Sequence, residues 1–280
     1  MAVQRIYQSL DGQQFPSEVI EQRARDIFGA LEEITRVGGR SLSDDAIDGL
    51  TALAKIDGMT GAKLRRLAKH STDTDELETV LKTIKSIDAL PTKPEGYAAV
   101  FKSLVHPWRN TSRGMMNVLR DIGSESFEGG IAKIERFEAS TPILLPGATK
   151  PYGRRVDVKL LPPPEGGIRM EYKAWETGVP QWTKNGAERQ FVADILNGAI
   201  SPHGADAILN MRWVVRGTDV NLVKKEMLLV LGRGPDGEEL AGAVMDKRVQ
   251  EALDADVLDD DKLNRFINGI LNGTIVREAR

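Results

Sequence analysis

The sequence predicts an α/β chain: an all-α helical domain over residues 1–123, followed by a domain built on a sheet over residues 124–280. Three observations predict it. Apolar residues recur at helical spacing through most of the first 123 residues. Two runs with a period of two then flank a Pro/Gly-rich connector between Tyr152 and Trp175. After that hairpin, helix and strand signals alternate to the end of the chain.

In the N-terminal part, Phe15 to Val37 carries Val19, Ile20, Ile27, Leu31 and Ile34 near helical spacing, opens at Pro16-Ser17 and stops at Gly38-Gly39. Ser43 to Ile56 begins with Ser43-Asp44-Asp45, side chains that cap a helix start, and ends at Gly58. Thr60 to His70 is a shorter basic helix. Asp73 to Leu90 has the clearest stripe, Leu77, Val80, Leu81, Ile84 and Ile87, and Pro91 ends it. Pro94 to Val105 and Asn110 to Ile122 complete a set that packs as a bundle or helical array. Lys63, Arg65, Arg66 and Lys69 form a basic cluster that reads as a solvated helix face, with phosphate contact as the functional alternative. Met115-Met116 and the Tyr97/Phe101 pair read as core.

Ser124 to Ser140 suits a helix through Phe127, Ile131, Ile134 and Phe137, although Gly129-Gly130 weakens it by about 1 kcal/mol per Gly relative to Ala. Thr141 to Leu145 reads as a first strand and Pro146 to Lys150 as a turn. The hairpin follows. Glu176 to Asn185 reads as a loop holding Trp182, and Gly186 to Leu196 as a helix with Phe191, Val192, Ile195 and Leu196 on its apolar face. Ala207 to Val215 and Glu226 to Leu231 read as strands. Gly232 to Gly237 is a turn that lacks the lysine and hydroxyl of a phosphate loop. Asp246 to Leu253 and Leu258 to Leu271 read as helices, with Asp259-Asp260-Asp261 where a helix start favours negative charge.

Composition bounds the function. The chain has no cysteine, which excludes disulfides and Cys-based zinc sites, and His70, His106 and His203 lack zinc-ligand spacing. No apolar run is long enough to span a bilayer, and the first residues lack the apolar core of a signal peptide. The expected location is the cytoplasm, that of the producing cell or of a target cell reached without a classical signal. The net charge of −3 is unevenly spread. Residues 1–150 hold 20 basic and 21 acidic side chains, residues 151–233 hold 12 and 9, and residues 234–280 hold 6 and 11. The hairpin segment is therefore the basic part, in keeping with a polyanionic substrate.

On the hairpin itself, Val156, Val158 and Leu160 share one face while Arg155, Asp157 and Lys159 share the other. On the second strand Arg169, Glu171, Lys173 and Trp175 alternate with Ile168, Met170, Tyr172 and Ala174. Glu171 and Lys173 project the same way, and pairing brings Asp157 beside them. Two carboxylates and an ammonium on an apolar hairpin need partners. One reading is an exposed face decorated with charge; the other is a metal site.

Asp157, a turn, and Glu171-Tyr172-Lys173 on the next strand resemble the PD-(D/E)xK nuclease superfamily. The resemblance spans roughly Glu125 to Gly217 and departs from the pattern at Val156, where the family's motif has Pro. It implies a mixed-sheet, restriction-endonuclease-like core. It implies that Asp157 and Glu171 hold Mg²⁺ (or Mn²⁺) and that Lys173 contacts the scissile phosphate or the attacking water. By the same resemblance, a further metal-binding Glu stands on a preceding helix, with Glu135 chosen ahead of Glu128 and Glu138, and Gln190 on the following helix supports the site. Trp175 and Trp182 either stack on bases or pack. The implied activity is a metal-dependent endonuclease on nucleic acid, DNA in preference to RNA. A helical part ahead of such a core looks like a bacterial effector toxin with a cognate immunity protein. The alternative is a non-catalytic helical scaffold.

Overall fold

The computed structural model describes residues 2–12, 15–71, 73–125, 127–143, 152–174, 186–200 and 209–279. The chain divides into two compact units, Met1–Ile134 and Glu135–Ala279.

The first unit is helical: α1 (Ala2–Asp11), α2 (Ser17–Gly38), α3 (Asp44–Ala54), α4 (Gly61–His70), α5 (Thr74–Asp88), α6 (Tyr97–Leu104) and α7 (Arg109–Ile122). Side chains cap three of these helices, and the first of the caps, Ser43, is read from the sequence. Ser43, Thr60 and Asp73 accept the amide protons of Ala46, Lys63 and Glu76 at the starts of α3, α4 and α5. The apolar stripes face one another. Ile27, Ile34, Leu50, Leu53, Leu64, Leu67, Leu77, Leu81, Ile84, Phe101, Met116 and Leu119 are all buried, each contributing about 1.5–3 kcal/mol relative to an exposed side chain. At Gly49 a Cβ would run into the Leu81 carbonyl, so glycine lets α3 and α5 approach backbone to backbone. Helix α1 is not foreseen in the sequence; it attaches by burying Ile6 and Leu10 and by Arg5, which donates to Asp48 at 2.7 Å. Lys63, Arg65, Arg66 and Lys69 lie on α4, whose Leu64 and Leu67 carry the buried face.

The second unit holds a five-stranded sheet in the order β1-β2-β3-β4-β5. Its strands are β1 (Ile134–Ile143), β2 (Tyr152–Leu160), β3 (Arg169–Ala174), β4 (Met211–Arg216) and β5 (Val276–Glu278). Strand β3 pairs antiparallel with β2 and parallel with β4, and β4 runs parallel to β5, so the sheet is mixed. The parallel pairing of β3 and β4 needs a crossover, and α8 (Ala187–Ala199) lies within it. Helices α9 (Val220–Val230), α10 (Lys247–Asp254) and α11 (Asp260–Leu271) follow β4. One core joins Phe191 and Ile195 of α8, Met211, Trp213 and Val215 of β4, Met227 of α9, and Phe266 and Ile270 of α11. Gly167, at φ +67°, turns the chain into β3 where a Cβ would strike the Leu160 carbonyl. Among the described residues, no helix is long and apolar enough to cross a membrane.

Three expectations are corrected. Ser124 to Ser140 is not a helix: Gly129 and Gly130 take positive φ, a short 3₁₀ turn follows at Ile131–Lys133, and β1 starts at Ile134. Ile134 and Phe137 are both buried, a spacing that imitates a helical stripe, while Glu138 at φ 48° interrupts the regular strand. Glu226 to Leu231 is not a strand but the end of α9, whose Asp219 cap accepts from the Asn221 amide at 2.8 Å and whose Val223, Met227 and Val230 are buried at helical spacing. The strand expected from Ala207 begins at Met211, after a 3₁₀ turn at Leu209 and Asn210. Strand β5 is too short to show a period, and the sequence reading leaves it out. The turn expected over Pro146 to Lys150, the whole loop expected over Glu176 to Asn185, and Trp175, Trp182 and His203 lie outside the described residues.

Candidate active site on the hairpin

The hairpin register pairs Val158 with Met170 and Lys159 with Arg169; carried one step further, it sets Asp157 across from Glu171. Asp157 and Glu171 therefore project from neighbouring strands on one face. Val156, Val158, Leu160 and Met170 are buried on the other.

The polar contacts of this face are specific. Asp157 Oδ2 accepts the backbone N–H of Tyr172 at 2.7 Å, so its carboxylate enters the edge of the β2–β3 ladder. Glu171 is buried, with its side chain only 6% exposed, and its Oε1 stands 2.5 Å from Lys173 Nζ, itself largely covered. An ion pair this sheltered is screened much less than a surface pair. The neighbouring strand supplies a floor: Glu171 pairs in register with Trp213 of β4, and Lys173 Nζ lies 5.7 Å from the centre of the Trp213 indole. That is within cation–π range. Trp213 is fully buried, donates its Nε1–H to Asp194 Oδ2 of α8 at 3.1 Å, and meets Phe191 edge to face at 5.9 Å.

The other two expected site residues fall elsewhere. Glu135 stands on strand β1 rather than on a helix, and pairs with Lys159 Nζ at 2.9 Å, so its charge is already matched. Gln190 is on α8 as expected, half-buried, and its Oε1 is enclosed without a hydrogen-bond partner. Among the described residues, no group of three or more His, Asp or Glu is placed to hold a metal. What the hairpin offers is two carboxylates, hard oxygen donors of the kind Mg²⁺ takes in ones and twos while keeping several waters. At that level the donor set fits a magnesium ion, with Glu135 outside it.

Sequence reasoning missed Asp194 and Trp213. Asp194 is a carboxylate only 2% exposed, and the one signal for it was its place a turn beyond Gln190 on the apolar helix. Trp213 looked like any aromatic in a buried strand; the parallel register is what brings it under the ammonium. Compared with known proteins, the chain matches no family, no curated protein and no solved structure.

Proposed function

We propose that the hairpin is the active site of a metal-dependent phosphodiesterase that cleaves nucleic acid, DNA in preference to RNA. The observation that carries the reading is the placement of Asp157 and the Glu171–Lys173 pair on one face of adjacent antiparallel strands. The helix and parallel strand that follow are in keeping with the mixed-sheet core the motif implies.

In this reading Asp157 and Glu171 hold the divalent ion. An ion held there would supply polarisation of the phosphoryl group and a water of lowered pKa. Lys173, beside Glu171, would stabilise the charge that develops on the phosphate oxygens. Trp213, fixed by Asp194, gives that ammonium an apolar floor and limits where it can go. Gln190 brings an amide oxygen that still lacks a donor. A helical unit ahead of such a site also accords with an effector toxin restrained by an immunity protein. The test is cleavage of supercoiled plasmid and of RNA with and without EDTA. Metal-dependent nicking that is lost in Glu171→Ala is expected, and full activity in that purified variant would refute the assignment.

A second reading has its own observation. Glu171 with Lys173 and Glu135 with Lys159 are already neutralised, as in a hairpin whose charges serve the fold of a scaffold. Calorimetric titration with Mg²⁺ and Mn²⁺ separates the two: absence of binding together with absence of nicking selects the scaffold.

A further inference from the structure

A second feature with nucleic-acid chemistry lies wholly within the helical unit, where the end of α4 meets the turn between α6 and α7. Trp108 caps α7 and is 73% exposed, the most exposed aromatic among the described large apolar side chains. It is not loose. Its ring meets His106 edge to face at 5.3 Å, and its backbone N–H donates to His106 Nδ1 at 3.2 Å. Arg66 of α4 braces the same turn by donating to the Val105 carbonyl at 3.1 Å.

Around this aromatic step the charge is positive. Partial burial, with Arg109, Arg66 and Lys69 nearby, holds the His70 imidazole below the ordinary value. Neither Arg66 nor Arg109 has a carboxylate within ion-pair distance among the described residues. The nearby acids are engaged: Glu76 pairs with Arg113, which also reaches the His70 carbonyl, and Glu33 pairs with Arg36. The first turn of α7 contains no acidic residue, so its dipole adds to the positive field.

We propose that this surface binds single-stranded nucleic acid, a base stacking on Trp108 while Arg66, Lys69 and Arg109 take the flanking phosphates. An exposed, braced indole beside unpaired guanidinium groups is the pairing that single-strand recognition requires: a π-face for any base and cations along the backbone. A duplex keeps its bases stacked on one another, so the indole gains less there. The proposal does not rest on the hairpin reading.

The test is fluorescence anisotropy of the full chain with a 5′-fluorescein oligothymidylate and with a duplex of equal length, in EDTA so that no cleavage intervenes. The single strand is expected to bind more tightly than the duplex. Trp108→Ala is expected to weaken single-strand binding about tenfold, and Trp108→Phe to restore most of it. Because Arg66 also braces the turn, the charge test uses Lys69→Glu with Arg109→Glu. That pair should lower the slope of log affinity against log salt by about 0.7 for each phosphate contact removed. Circular dichroism checks that each variant keeps its helices. Absence of binding by the parent chain, or unchanged affinity in both Trp108→Ala and the charge pair, overturns the proposal and leaves the face to an acidic protein partner.

Discussion

Asp157 accepts the Tyr172 amide proton through its side chain, at 2.7 Å, where a backbone carbonyl would ordinarily sit. One carboxylate thus completes the ladder of the hairpin and stands on the face proposed to hold a metal.

These two roles are separable. Asparagine keeps an acceptor oxygen and loses the charge; alanine loses both. Asp157→Asn should keep thermal stability close to the parent while losing Mg²⁺ binding by calorimetry. Asp157→Ala should lose binding and also about 1–2 kcal/mol of unfolding free energy in urea, the cost of an unmade hydrogen bond to a charged group.

The Lys173 ammonium competes with any cation for the Glu171 carboxylate oxygen. Replacing Lys173 by Met leaves a buried carboxylate without its ammonium, which costs about 3–5 kcal/mol. A divalent ion can recover part of that loss. Lys173→Met should therefore be destabilised without metal, be rescued by millimolar Mg²⁺ in a thermal melt, and be inactive in nicking. A variant whose melt ignores Mg²⁺ would show that Glu171 does not take the ion.

How far the sequence discloses this site depends on the range of each contact. The alternation that placed Asp157, Glu171 and Lys173 on one side is local to each strand, and burial on the opposite face keeps it in phase. Glu135 was misplaced because Ile134 and Phe137 are spaced as on a helix, and only the paired strand shows that they are not. The link from Asp194 to Trp213 and on to Lys173 has no local signal: it runs through a helix crossing and a parallel pairing, which no short window of sequence contains. The helical unit was easier, since Ser43, Thr60, Asp73 and the leucine stripes act within their own helices. Helix α1 escaped because Ile6 and Leu10 are too few to make a stripe.

The buried Trp213 indole should be sensitive to its one polar handle. Trp213→Phe removes the donor to Asp194 and is expected to cost about 1–3 kcal/mol, measured by chemical denaturation. If the floor also positions Lys173, kcat for cleavage should fall while KM is little changed. A variant that loses stability alone would limit Trp213 to packing.

His70 predicts a pH dependence. Burial, with Arg109, Arg66 and Lys69 nearby, keeps its folded pKa below the ordinary 6.5. As pH falls through that value, the unfolded chain takes up a proton that the folded chain resists, so stability falls on acidification. His70→Gln should flatten the decline in melting temperature between about pH 7 and 5. A decline of equal slope in both proteins would assign it to carboxylates.

At Gly49 the backbone of α3 meets that of α5 with no room for a side chain. Gly49→Ala pushes a methyl group into the Leu81 carbonyl, and overpacking of this kind costs about 1–3 kcal/mol or more. A lower melting temperature with unchanged hairpin activity at low temperature is the expected result.

The mixed sheet carries a kinetic consequence. Glu171 must find Trp213, and Trp213 must find Val276, before β3, β4 and β5 are aligned, whereas α3 needs only the nearby α5. Closing such long loops is slow and unrewarded until the last strand arrives. A chain emerging from a ribosome would hold its helices before its hairpin face acquired a floor, and any phosphodiester chemistry would be delayed until synthesis had passed β5.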